Sequence, residues 1–283
     1  MKILRNMIGR RKFLDLALKN ALLITAGRHM VPFFQDRTAL PPADRLALRF
    51  ALASDGHFGQ PDTNHVARHE KVVRALNGEK SDRGLDFTVI NGDLIHNDPA
   101  QLPLAKKTWD TLHTPWYPTH GNHDMLPEAE WNRILGHDWY YGFEKGDAGF
   151  VVFNTATETG EYVCPEMNQA RALLDRYAHK KHLFVFMHIT PLKWTGAGIS
   201  CPELTTEFTK RPHLRAVFHG HDHDQEGAFQ HDGVPYLFDA HVAGNWGTNY
   251  SGYRIVEVLK NGDIISYQMN AGTGAEVNRN SLN

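Results

Sequence analysis

Five short apolar runs in this chain each stop at a cluster of Asp, His, Asn and Gly, and that repeated pattern constrains the fold more than any other feature. The clusters are Ser54-Asp55-Gly56-His57, Asn91-Gly92-Asp93, Gly121-Asn122-His123-Asp124, His188 and Gly220-His221-Asp222-His223. The runs before them (49–53, 87–90, 116–119, 183–187 and 216–218) have the length and continuous apolarity of strands buried on both faces. Helical patterns lie between them. Val66, Val73 and Leu76 form one apolar set, Ala105, Trp109 and Leu112 a second, and Ala170, Leu173, Leu174 and Tyr177 a third. Strand alternating with helix predicts an α/β fold with a largely parallel sheet. Ligands bind such sheets beyond the carboxyl ends of the strands, so all five clusters are expected along one rim of one sheet.

The last third changes character. The segments 230–233 and 260–263 carry Asp-Gly and Asn-Gly turn signals, which accept the positive φ angles of tight hairpins. They predict a second, mainly antiparallel sheet built from 227–229, 234–238, 253–258 and 264–269. The expected architecture is a two-sheet α/β sandwich flanked by helices. It occupies 47–271 as one domain, preceded by a linker over 29–46 and followed by a polar tail over 272–283.

A 283-residue chain with 41% hydrophobic residues has enough apolar material for one large domain. Its net charge of -2 argues against a nucleic-acid-binding surface, which needs a basic stripe. Only five of the 18 histidines fall in the clusters, so the excess of histidine decides nothing by itself. Two cysteines, Cys164 and Cys201, are too few for a thiolate metal site and are compatible either with one disulfide or with two free thiols.

Residues 1–28 have the layout of an export signal. Arg10-Arg11-Lys12-Phe13-Leu14 opens a weakly apolar stretch and looks like a bacterial twin-arginine signal, which export machinery reads as an address. Lys19 and Asn20 interrupt the stretch, so no transmembrane span is expected. This reading places the protein in the periplasm or outside the cell. The alternative, an amphipathic helix, leaves it in the cytoplasm.

Carboxylate, imidazole and amide oxygen are what divalent metals take when no thiolate is offered, and the clusters hold enough donors for two ions. Asp93 is the candidate bridge, one carboxylate oxygen to each ion. Asp55, His57 and His223 complete one site; Asn122, His188 and His221 complete the other. Two adjacent divalent ions are a device for hydrolysing phosphate esters. His123 is then placed to protonate the leaving alkoxide, with Asp124 orienting its ring.

Each cluster alone is an ordinary turn, but the ordered set resembles the calcineurin-like metallophosphoesterase superfamily over most of 47–270. The resemblance implies a two-sheet sandwich, two Mn, Fe, Zn or similar ions at the residues assigned above, and His123 as the transition-state histidine. His96 stands where purple acid phosphatases carry a metal-bound Tyr, which argues against that subfamily and makes His96 a pocket-wall residue. Asp124 after His123 resembles the phosphodiesterase branch, so a small phosphodiester is the expected substrate. A broad phosphomonoesterase and a non-catalytic metal-binding scaffold are the alternatives. On the pocket rim, Trp194 and Trp246 could stack on a base, and Lys193 could meet a phosphate; ordinary loop anchoring or a solvated charge is the plainer reading of each.

Overall fold

The computed structural model describes residues 41–282; the signal-like segment and most of the linker lie outside the described residues. In chain order the elements are β1 (Leu46–Ala53), α1 (His65–Arg83), β2 (Phe87–Asn91), α2 (Leu102–Trp109), β3 (Trp116–Thr119), α3 (Glu128–Leu135), β4 (Tyr141–Lys145), β5 (Ala148–Phe153), α4 (Met167–Arg176), β6 (His182–Met187), α5 (Pro202–Thr209), β7 (Leu214–His219), β8 (Ala228–His231), β9 (Val234–Phe238), β10 (Gly252–Leu259), β11 (Ile264–Asn270) and β12 (Glu276–Ser281). None of the described helices is long and apolar enough to cross a membrane.

Two six-stranded mixed sheets form an α/β sandwich, in the orders β12-β11-β10-β1-β2-β3 and β4-β5-β6-β7-β9-β8. The expected sandwich is present, but its strands are divided differently. β1, β2 and β3 are parallel neighbours in one sheet, whereas β6 and β7 are parallel neighbours in the other. The five clusters therefore come from the rims of two sheets, not one. The hairpins are also split: β8 and β9 extend the second sheet, while β10 pairs antiparallel with β1 in the first. A turn signal fixes which strands are sequence neighbours in a hairpin, but not which sheet edge the hairpin joins. The stretch read as a polar tail contains β12, whose pairing with β11 completes the first sheet and leaves Leu282 buried.

Three apolar layers hold the sandwich. Between the sheets, Phe50, Phe87, Phe150, Phe184, Phe186 and Phe218 interlock, with Phe50 stacked on Phe87 at 5.1 Å and edge-on to Phe184 at 5.3 Å. On the first sheet's outer face, α1 buries His69, Val72, Val73 and Leu76, turning the expected stripe so that Val66 stays exposed. On the other outer face, α4 and α5 bury Ala170, Leu174, Leu204 and Phe208. Arg254 of β10 crosses between the sheets to Asp239 beyond β9 at 2.6 Å, both side chains fully buried, and also donates to the Phe238 carbonyl oxygen at 2.7 Å. This pair fixes the two carboxyl rims against each other.

The fully buried His69 donates its Nδ1–H to the His65 carbonyl oxygen at 2.8 Å, packed between the rings of Phe58 and Trp109. Burial, opposed by that hydrogen bond, pushes its pKa down from 6.5 to about 4. A ring neutral in the fold but protonated in the unfolded chain stabilises fully above pH 6.5, and this stability is lost as pH falls towards 4. The shift corresponds to about 3 kcal/mol. The urea midpoint should drop across this window, and His69→Gln should flatten that drop; parallel profiles for the two proteins would contradict the assignment.

Candidate metal centre

Four of the clustered residues leave their strands in the left-handed region: Asp55 at φ 56°, His57 at 43°, Asp93 at 50° and His221 at 67°. Asp and His tolerate this conformation better than other non-glycine residues, at a local cost of about 1–3 kcal/mol each. Backbone bonds between the first two clusters hold it, from Asp55 N to Gly92 O at 3.1 Å and from His57 N to Asp93 O at 2.9 Å. Gly92, at φ 87°, is required twice over, since a Cβ there would also lie 2.3 Å from Nδ1 of His188. The glycine brings the second cluster against the fourth, across the gap between the sheets.

Three sets of side chains have donor atoms within 4.8 Å of one another: Asp55, His57 and His223; Asp93, His188 and His221; and His57, His96 and His123. All six residues of the first two sets are buried, whereas His96 and His123 of the third are only partly so. His223 Nε2 lies 3.0 Å from both Asp55 Oδ1 and His57 Nε2. Asp93 Oδ2 lies 3.2 Å from His188 Nε2 and 3.5 Å from His57 Nε2, so this single oxygen faces both buried sets. Its partner, Oδ1, accepts the His123 backbone N–H at 2.8 Å. Of the two Asp93 oxygens, Oδ2 is the one turned to the donors of both sets.

The far side of two rings is already fixed. His188 donates Nδ1–H to the Asn91 carbonyl oxygen at 2.8 Å, and His223 donates Nδ1–H to that of Trp246 at 3.2 Å. Both rings therefore present Nε2 as a lone-pair donor when neutral, the usual arrangement behind a metal-binding histidine. Two buried atoms, Asn122 Oδ1 and His221 Nε2, are left without a hydrogen-bond partner, and Asp93 Oδ2 and His188 Nε2 have their mutual 3.2 Å ion-pair contact in place of a well-formed hydrogen bond. Orphaned polar atoms carry a desolvation penalty of about 1–3 kcal/mol each, and their convergence calls for a cation.

The electrostatics agree. Burial alone would lower the pKa of His188, but Asp93 and Asp55 outweigh it and hold a proton on this fully buried ring up to about 10. Burial would raise Asp55 and Asp93, yet His223 acting on Asp55 and His188 acting on Asp93 push both below the ordinary carboxylate range. A field that protonates a buried imidazole will also attract a divalent ion, which displaces that proton on binding. The Asp and His groups fit a dinuclear site of nitrogen and oxygen donors.

His123 stays outside the two fully buried sets and meets His57 and His96 in the third. Its half-buried ring donates Nδ1–H to Asn97 Oδ1 at 2.6 Å and stacks on His96 at 4.8 Å. The residue expected to orient it does something else: Asp124 accepts the backbone N–H of Gly121 at 2.8 Å and of Ile95 at 3.1 Å. Both carboxylate oxygens are thus spent bracing the turn, and the exposed Asn97 takes the orienting place. Burial and then Asp93 raise the Asp124 pKa to about 8. His96 Nδ1 lies 3.0 Å from His57 Nδ1, on the side of that ring away from the carboxylates.

The two tryptophans separate. Trp194 packs among Phe229, Tyr236 and Phe238 as a loop anchor, whereas Trp246 lies flat on His223 at 4.3 Å and 4°. Tyr162 had no sequence signal beyond following the apolar run 149–153, yet it stands edge-on to His221 at 4.9 Å. The Tyr162 loop ends at Cys164, which is bridged to Cys201 at the end of the loop following His188. The cysteines are therefore a disulfide, tying together two loops beside the second donor group. Closing a loop across a separation of 37 residues restricts the unfolded chain by about 4 kcal/mol of loop entropy. A Cys164→Ser, Cys201→Ser variant should lose stability on that scale in urea unfolding; no loss would mean that the loops are held by their other contacts.

Residues 48–225 match the model of the calcineurin-like phosphoesterase family. No curated protein sequence matches the chain. Among solved structures, a dimetal phosphatase from Danio rerio superposes with a TM-score of 0.68 at 12% identity, covering 84% of this chain and 99% of that one. A purple acid phosphatase from yellow lupin (Lupinus luteus) seeds gives 0.65 at 10%, covering 85% of this chain and 54% of that one. GAP50, described as the anchor in the inner membrane complex of Plasmodium, gives 0.60 at 13%, covering 83% and 88%. At these identities the structures share a fold and nothing more specific. Because the family model spans well over half of the chain, including every residue of both buried donor sets up to His223, the chain belongs to the calcineurin-like phosphoesterase family.

Proposed function

We propose that this protein is a metal-dependent phosphodiesterase of small substrates, with Asp55, His57 and His223 holding one ion, Asn122, His188 and His221 the other, and Asp93 shared. The observation that carries the reading is the convergence of orphaned donor atoms on Asp93 Oδ2, with His123 beside them on the open side. Two Mn, Fe or Zn ions bound there supply Lewis-acid polarisation of the phosphoryl group and ease deprotonation of an attacking water. The chain supplies the rest. Asn97 holds the His123 ring by Nδ1 and leaves Nε2 to carry the proton that the departing alkoxide takes up. The buried walls keep water from the other faces of the donors.

Charge supports the diester preference. Among the described residues, no hydrogen bond or ion pair from Lys or Arg reaches any of the clustered ligands, His123 or Asp124. A monoester dianion presents an extra charge that such a cation would ordinarily meet, whereas a diester carries one. With Mn-loaded protein, bis-p-nitrophenyl phosphate should be hydrolysed with a higher kcat/KM than p-nitrophenyl phosphate. The reverse order would make the protein a phosphomonoesterase, and no turnover of either would favour a scaffold. The disulfide supports an oxidising compartment and so the twin-arginine reading of residues 1–28, with the enzyme acting in the periplasm.

A further inference from the structure

Four large apolar side chains stand open among the described residues: Val66, Leu104, Tyr162 and Trp246. The two aliphatic ones lie on helix surfaces. The two aromatic ones each rest on a metal-site histidine, and Trp246 is the more exposed of these at 50%. We propose that Trp246 is the platform on which the nucleobase of a nucleoside phosphoester stacks while its phosphoryl group lies at the metal centre. The proposal rests on the functional reading above only for the place of the phosphoryl group.

An indole needed merely to cover His223 would be expected to close over with its neighbours, as Trp194 does in its own cluster. Trp246 instead has one face on the imidazole and half its surface in solvent. Its loop is pinned. The Trp246 carbonyl oxygen accepts from His223, Thr248 N donates to the His223 carbonyl oxygen at 3.0 Å, and Arg68 Nη1 donates to that of Gly244 at 3.0 Å. His241 also stacks on His223 at 4.9 Å and donates Nε2–H to the Thr248 carbonyl oxygen at 2.8 Å. The open indole is thus held at a set distance from the donor atoms before any ligand arrives, and little ordering entropy is lost when a planar ring docks on it. A purine has the flat π-face to use that surface; a bare sugar phosphate does not.

The test compares ligands that share ribose and phosphate and differ in the base. Titration calorimetry of the Mn-loaded protein should show AMP binding about tenfold or more tighter than ribose 5-phosphate, the scale of one base–aromatic stack. Trp246→Ala should remove that advantage and Trp246→Phe should keep most of it. Equal affinities for the two ligands in the wild type, failure of both to bind included, overturn the proposal, as does an advantage that survives Trp246→Ala. Should the alanine variant not fold, the wild-type comparison and the phenylalanine variant still decide. If the AMP advantage is present but no phosphoester is turned over, the catalytic reading fails while the stacking site stands.

Discussion

Replacing His123 by Ala should lower kcat towards diesters by about 10²–10⁴-fold, the usual contribution of a positioned general acid. The metal content should not change, because His123 shares a donor set only with His57 and His96 and belongs to neither of the two buried sets that converge on Asp93 Oδ2. Its ring contacts are Asn97, His96 and His57. The effect should depend on the leaving group: an alkyl ester, whose alkoxide needs a proton, suffers more than a p-nitrophenyl ester. A loss that is the same for both leaving groups would place His123 in substrate binding instead. Removing the Asn97 carboxamide oxygen by Asn97→Ala should reproduce part of the loss, since it frees the ring without removing it.

Asp93→Asn should be more damaging. The substitution keeps the shape but removes the charge shared by the two groups and the largest favourable influence on the proton of His188. It also disturbs the oxygen that faces both His57 Nε2 and His188 Nε2 within 3.5 Å. The expected result is a fall in bound metal from about two ions per chain, together with a loss of turnover of at least about 10²–10³-fold, the scale of removing one transition-state electrostatic contact. Elemental analysis after metal loading and gel filtration measures the first, and steady-state kinetics the second. Full metal content in Asp93→Asn would show that the donors around it assemble two sites without a bridge. The backbone should survive, because the amide oxygen that the substitution leaves can still accept the His123 N–H that Asp93 Oδ1 accepts now.

Much of this was legible in the residues. The runs 87–90 and 116–119 begin where β2 and β3 begin, and every predicted ligand lies just beyond a strand, because buried strands and metal donors are both written in local residue type. Other features were not. The sheet to which β6 and β7 belong depends on how the phenylalanine layer closes, which no local pattern encodes. Asp124 reads as a partner for the neighbouring His123, yet its carboxylate turns inward to unpaired backbone N–H groups, a demand visible only once the turn exists. Asn97 is legible only as a residue of the pocket rim, not as the partner of His123, and Tyr162 lies in a loop tied by a single bridge to Ala156, with no periodicity to mark it. Trp194 and Trp246 looked alike in sequence and part company only through what packs on them.

What the amino-acid order determined by itself is the chemistry on offer: nitrogen and oxygen donors, each at the exit of a strand, with a further histidine beside one of them. What only the tertiary structure decided is their mutual distance, the single oxygen that Asp93 turns to both groups, and the side chain that steadies His123. Donor identity is a property of one residue and its immediate strand. Donor spacing is set by long-range burial, through two sheets locked face to face by the phenylalanine layer and by the Arg254–Asp239 pair, so it comes into being only when the whole sandwich closes.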